Sequence, residues 1–291
     1  MRTLHRVPRK LTTFWLLASA AAALIAAALL APSTAMAQGA KTAEFTYLFH
    51  SDAEGWAAGF ADLPVDHDPQ TFELDSVHRA LPDGLHQRGG ILMQGHNRSD
   101  DLFMYLKRQV DGLLPNTEYD VSVSIDIATN VAAGLIGIGG APGESVFVKA
   151  GASTVEPAAV EGDNRHLRMN IDKGNQSRGG EDMVVIGNVA HSEITGSEYR
   201  IKRLDNAGQP LSVESDDAGR VWLIVGTDSG FEGFTAIYYA RISYTLTGPE
   251  LPPATGDAAL PRWAMAYAVA FGAVVTAIGV VLLLRNRRRR A

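Results

Sequence analysis

Between residues 101 and 127 the chain alternates apolar and polar side chains twice, on either side of a short polar turn. Leu102, Met104 and Leu106 share one face of the first stretch. Tyr119, Val121, Val123, Ile125 and Ile127 share one face of the second. A period of two fits a strand with one side buried and does not fit a helix, whose faces repeat roughly every 3.6 residues. Leu114-Pro115-Asn116-Thr117 supplies the turn, since proline adds no donor to a ladder and asparagine tolerates tight backbone. An antiparallel pair with one face in the core is expected here. Each buried Val, Leu or Ile in it contributes about 1.5–3 kcal/mol.

The rest of the interior reads the same way. Phe45, Tyr47 and Phe49 alternate, and short strands are expected over 71–80, 90–96, 135–138, 146–148, 167–171, 183–189, 199–204, 211–213, 220–226 and 234–247. A phase break near Ala240 marks a bulge in the last of these. Gly55 and Gly59 speak against a helix over 52–64. Asp205-Asn206-Ala207-Gly208 and Asp216-Asp217-Ala218-Gly219 are turns. Helical periodicity is almost absent, so the fold class is all-β, an antiparallel β-sandwich over 38–247.

Both ends point to export. Arg2, Arg6, Arg9 and Lys10 precede an apolar run over 11–30, and Ala35-Met36-Ala37 has the form of a signal-peptide cleavage site, giving a signal peptide over 1–37. An uncleaved signal anchor is the alternative, and either leaves the interior outside the cytoplasm. Residues 263–284 carry no charge and are long enough for one transmembrane helix. The arginines of 285–291 form a basic tail expected on the cytoplasmic side. Residues 248–262 are a Pro-containing linker. The expected location is the cell surface, as a single-pass plasma-membrane or wall-anchored protein.

Charge is divided along the chain. Of the 26 basic residues, four lie in 1–37 and six in 262–291, while all 32 acidic residues lie between, so 38–261 carries a net charge of −16. That surface disfavours nucleic acid and favours solubility and cations. The chain has no cysteine, so an exported domain must be held by its core, with Ca²⁺ as a candidate aid.

Asp62, Asp66 and Asp68 lie in one Pro-containing stretch and offer hard oxygen ligands suited to Ca²⁺, with Asp100-Asp101 and Asp216-Asp217 as further candidates; solvated turn residues are the plainer reading. Trp56, bounded by Gly55, and Phe60 are the aromatic candidates for stacking on a sugar ring, Trp222 reading as core. The Gly-rich loop at 137–143 has Pro142 where a dinucleotide fingerprint needs glycine, and a strand follows it, so no nucleotide is expected there. No catalytic motif is present. Glu144, Glu181 and Asp182 are the carboxylates a hydrolase would draw on.

Pro253, Thr255 and Gly256, the apolar segment and the basic tail together resemble the sorting signal of sortase-anchored surface proteins; Pro252 stands where that signal has leucine. The resemblance implies cleavage between Thr255 and Gly256 and transfer to the cell wall, with sortase as a partner; an uncleaved membrane anchor is the other reading. The stretch 112–121 and Asp52-Ala53-Glu54-Gly55-Trp56 resemble the corner and opening of galactose-binding-like and carbohydrate-binding jelly rolls. That resemblance implies a jelly-roll-like sandwich and a glycan partner. The expected function is a surface binding or display module for carbohydrate or Ca²⁺, the alternatives being a surface hydrolase and a passive envelope spacer.

Overall fold

The computed structural model describes residues 42–85 and 89–249. The strands of these residues, in chain order, are β1 (Thr42–Tyr47), β2 (Ala57–Ala61), β3 (Leu63–Pro64), β4 (Asp75–Ala80) and β5 (Gly89–His96). Then come β6 (Leu102–Val110), β7 (Glu118–Thr129), β8 (Val146–Ser153), β9 (Ala159–Glu161) and β10 (His166–Met169). The last are β11 (Met183–Asn188), β12 (Arg200–Asp205), β13 (Ser212–Glu214), β14 (Val221–Ser229) and β15 (Phe234–Thr247).

They form an all-β sandwich of two antiparallel sheets. The first runs β4-β5-β15-β7-β12, with β1 also on β15 and β13 also on β7; the second runs β11-β8-β14-β6-β2. Consecutive strands change between these two sheets at β1 to β2, β5 to β6, β6 to β7, β7 to β8, β11 to β12, β13 to β14 and β14 to β15. Strands β3, β10 and β9 make a small third sheet.

Period-two patterning decides what fills the core. Ile125, Ile127, Ile242 and Tyr244 of the first sheet meet Met104, Leu106, Val148, Leu223 and Val225 of the second in one buried cluster. The phase break is a bulge: the β15–β7 register shifts between Tyr239 and Arg241. The extra residue lets Tyr239 and Ile242, three positions apart, both face the core.

Two expectations are corrected. The stretches around 102–110 and 118–129 do not pair with each other: β6 lies between β14 and β2, and β7 between β15 and β12. Alternation showed that each strand has a buried face, and the two faces meet across the core rather than side by side in a ladder. Residues 135–138 are not a strand. They form a glycine-punctuated loop in which Ile136 is 98% exposed, with positive φ at Gly134, Gly139 and Gly140. No helix among the described residues is long and apolar enough to cross a membrane. Ala35, Ala37, Pro253, Thr255, Gly256 and the segment 263–284 lie outside the described residues.

Candidate functional site

The same alternation that sends Val148, Ala150, Leu223 and Val225 inward sends Lys149 of β8 and Asp228 of β14 to the outer face of the second sheet. Solvent does not meet them there, because the chain between β8 and β11 folds back over that face. Ala61, Phe103, Tyr105, Ile171, Met183 and Ile224 make a second small core beneath this cover. Lys107 clamps its near end, donating to Glu156 Oε1 at 2.6 Å and to the Pro157 carbonyl at 2.8 Å. Asp172 shapes the far end, accepting from Gly174 N at 2.9 Å and Glu181 N at 3.0 Å. Gly174 has φ +68, and a Cβ there would lie 2.3 Å from the Arg178 carbonyl oxygen, so the tight return needs glycine.

A network of buried charges lies under the cover. Lys149 Nζ donates to Asp228 Oδ2 at 2.7 Å and to the carbonyls of Lys173 at 2.8 Å and Arg178 at 2.9 Å. Lys173 Nζ lies 2.8 Å from Asp228 Oδ2. It is also 2.8 Å from Asp62 Oδ2, a contact that is charge pairing rather than an aligned hydrogen bond. Arg168 Nη1 donates to Asp62 Oδ1 at 2.7 Å and lies 4.0 Å from Asp101 Oδ2. Carboxylate oxygens of Asp62, Asp101 and Asp228 lie within 4.8 Å of one another.

Burial and neighbours divide the protons unequally. Burial, with the charges of Asp228 and Asp62 added, pushes Asp101 up to about 8, so near neutral pH it holds its proton. Burial works to raise Asp228 too, but Lys173 and Lys149 outweigh it and hold that carboxyl below its usual range. Burial lowers Lys149, while for Lys173 the attraction of Asp228 and Asp62 overcomes burial and raises it. Asp62 and Asp228 then face Lys149, Lys173 and, at the half-exposed rim, Arg168, with a protonated Asp101 beside them.

Above this floor opens a cavity of about 370 Å³, bounded by Asp62, Asp101, Arg168, Met169, Lys173 and Asn175 among others. It offers acceptors, donors and a small apolar wall in one place. A wider notch of about 810 Å³ lies at the β7–β13 edge, where Glu118, Asp120, Ser122, Glu181 and Gln209 line it.

The predicted site residues are dispersed. Trp56 is 6% exposed and packs edge-on against Tyr47 at 5.4 Å, so it belongs to the main core and has no free face for a sugar. Phe60, in β2, is half-buried against the same core. Asp62 is buried in the network. Asp66 is exposed, 4.0 Å from Arg165. Asp68 accepts from Gln70 N at 3.0 Å and Thr71 Oγ1 at 2.8 Å, an ordinary turn role. The structure does not gather Asp62, Asp66 and Asp68 as a ligand set. Asp62 meets Asp101 and Asp228 instead, and there Lys149 and Lys173 already supply the positive charge, so a divalent ion would face two fixed ammoniums.

Sequence reasoning missed Lys149, Lys173, Asp228 and Arg168. The available signal was one lysine in the otherwise small and apolar β8 and one aspartate in the apolar β14. No sequence signal showed that the covering segment would bury both.

Fold and site together define a cysteine-free antiparallel sandwich with an ion network and a cavity on one covered face. No protein-family model and no curated protein matches the chain. Among solved structures it is similar to the enzymatically active domain of tailspike protein 4 from bacteriophage CBA120, at 10% identity and TM-score 0.32, over 68% of this chain and 20% of that one. It is similar to a carbohydrate-binding module that recognises mannan, at 12% identity and TM-score 0.33, over 71% of this chain and 98% of that one. Peanut lectin is similar at 11% identity and TM-score 0.34, over 73% of this chain and 100% of that one. Likenesses of this depth carry no argument about what the chain does.

Proposed function

We propose that the chain is an exported β-sandwich binding module that takes a saccharide in the cavity beside Asp101. The observation that carries this reading is the cavity itself, about 370 Å³ with its polar groups fixed. Its size lies within the range of small-molecule sites, about 300–1,000 Å³. Sugar hydroxyls both donate and accept. Asp62 and Asp101 present carboxyl oxygens, while Arg168, Lys173 and Asn175 present N–H groups. Met169 and Ile171 give the C–H face of a ring an apolar wall. The ion network holds Asp62 and Lys173 in place before any ligand arrives, which lowers the ordering cost of binding.

Export and anchoring complete the proposal. The signal peptide over 1–37, the uncharged run over 263–284 and the arginines after it support a single span with the sandwich outside. Sortase processing at Thr255 is part of the same reading. Mass spectrometry of the mature C-terminus tests it: Thr255 as the last residue supports processing, and an intact arginine tail overturns it.

The binding claim is tested on a glycan array with the full chain in detergent. Binding that is lost in Arg168→Ala supports it. Binding unchanged in both Arg168→Ala and Asp101→Asn overturns it. The hydrolase reading draws on one observation, a protonated Asp101 beside two carboxylates. Released reducing ends on the bound glycans would establish that reading instead.

A further inference from the structure

Lys149 and Asp228 meet in circumstances that ordinary ion pairs do not share. Both side chains are 0% exposed, and Nζ lies 2.7 Å from Oδ2. They stand on neighbouring strands, Lys149 opposite Gly226 and so one diagonal step from Asp228. The two oxygens of Asp228 differ in surroundings. Oδ2 also receives Lys173 Nζ at 2.8 Å and the Gln176 N–H at 2.9 Å. Oδ1 is buried and meets no N–H or hydroxyl donor, and neither does the buried Oδ1 of Asp101. A carboxylate oxygen of Asp101 lies within 4.8 Å of one of Asp228, and the Asp228 charge, after burial, favours the protonated form of Asp101.

We propose that Lys149 and Asp228 condense into an intramolecular amide that ties β8 to β14, with Asp101 relaying the protons. The net change is ammonium plus carboxylate to amide plus one water. Asp101 gives its proton to Asp228 Oδ1 and takes one from Lys149 Nζ. The neutral amine attacks Cγ of Asp228, and the charge that develops collects on Oδ2, where the Lys173 ammonium and the Gln176 N–H already point. Asp101 carries a second proton from Nζ to Oδ1. The Cγ–Oδ1 bond breaks, water leaves, and Asp101 is returned as it began. No oxidant, reductant or further reactant is needed.

Three features favour the forward step. Holding amine and carboxyl in contact is equivalent to a local concentration of about 10⁵–10⁸ M when the geometry is good. Condensation removes two charges from a site that water does not reach, where each is costly to keep. Burial lowers the Lys149 pKa and so brings the neutral amine within reach, while Lys173 is raised and stays an ammonium; this selects Lys149 as the nucleophile. The amide keeps one N–H for a carbonyl of Lys173 or Arg178. The chain has no cysteine, so this bond would be its covalent brace. The inference is independent of the saccharide reading.

The test is a tryptic peptide map of the full chain, purified folded. The expected result is a branched species joining the peptide that carries Lys149 to the one that carries Asp228, one water lighter than their sum, with cleavage after Lys149 lost. Lys149→Arg abolishes it. Asp101→Asn keeps both partners but cannot relay protons, so the branched species forms about a hundredfold more slowly after refolding. Wild-type chain cut normally after Lys149, with no branched species, overturns the proposal. Asp101→Asn that matches wild type in rate overturns the relay. Should Lys149→Arg not fold, the wild-type and Asp101→Asn maps still decide.

Discussion

The Tyr244 hydroxyl, on β15 of the first sheet, lies 2.8 Å from the Ile224 carbonyl and 3.0 Å from the Gly151 carbonyl, both on the second sheet. A phenol with no exposed surface thus bridges the core and is satisfied only by its neighbours across it. Tyr244→Phe leaves those contacts unmade and should cost about 1–3 kcal/mol of stability. A urea or guanidinium titration reads this, with glycan binding per folded molecule unchanged.

Lys149→Met removes an ammonium that serves one carboxylate and two carbonyls. Measured against the chain before the amide forms, loss of one member of this buried pair should cost about 3–5 kcal/mol, because its partner is left charged and dry. Lys149→Met combined with Asp228→Leu should recover part of that loss, since no lone charge remains. Equilibrium unfolding of the three chains checks the ordering; a double variant worse than the sum of the singles would contradict it.

Stability should fall as pH rises from about 5 to 8 through Asp101. Its folded-state pKa, about 8, stands above the unfolded value, so the folded state binds the extra proton across this window. The contribution is full below the unfolded value and lost as pH rises through the folded one. Asp126 has a lowered value, held down by Arg203 and Arg241 against burial, and acts the other way, losing its contribution as pH falls into the acid range. Melting temperature against pH measures both limbs. Asp101→Asn should flatten the upper one and leave the acid limb in place.

Trp56→Ala should behave as a core truncation. The ring lies against Tyr47 inside the main cluster, so its loss should cost about 3–5 kcal/mol. Saccharide affinity of the remaining folded protein should not change. Affinity lost at full stability would return Trp56 to the ligand surface.

Trp56 and Lys149 show what local pattern conveys and what it omits. Alternation identified the strands whose inner residues, such as Ile125 and Met104, fill the core, and the phase break near Ala240 was legible as a bulge. Alternation does not name partners, which is why β6 and β7 read as one hairpin although they lie in opposite sheets. It also gives each strand an outer face without saying whether water meets it. Lys149 and Asp228 occupy that face, and the segment between β8 and β11 turns it into an interior. Asp62 and Asp101 each read as candidate Ca²⁺ ligands from separate loops; the structure places them beside one another and beside Asp228, and leaves Asp66 and Asp68 apart.

The most direct test of the saccharide site is a backbone-amide NMR titration of the β-sandwich within the full chain, using the oligosaccharide that binds best on the array. Saccharide bound beside Asp101 should shift the amides of Asp101, Lys173, Gly174 and Asn175, an effect abolished by Arg168→Ala. Shifts confined to the edge notch around Asn206 and Gln209, or none at any concentration, would contradict it.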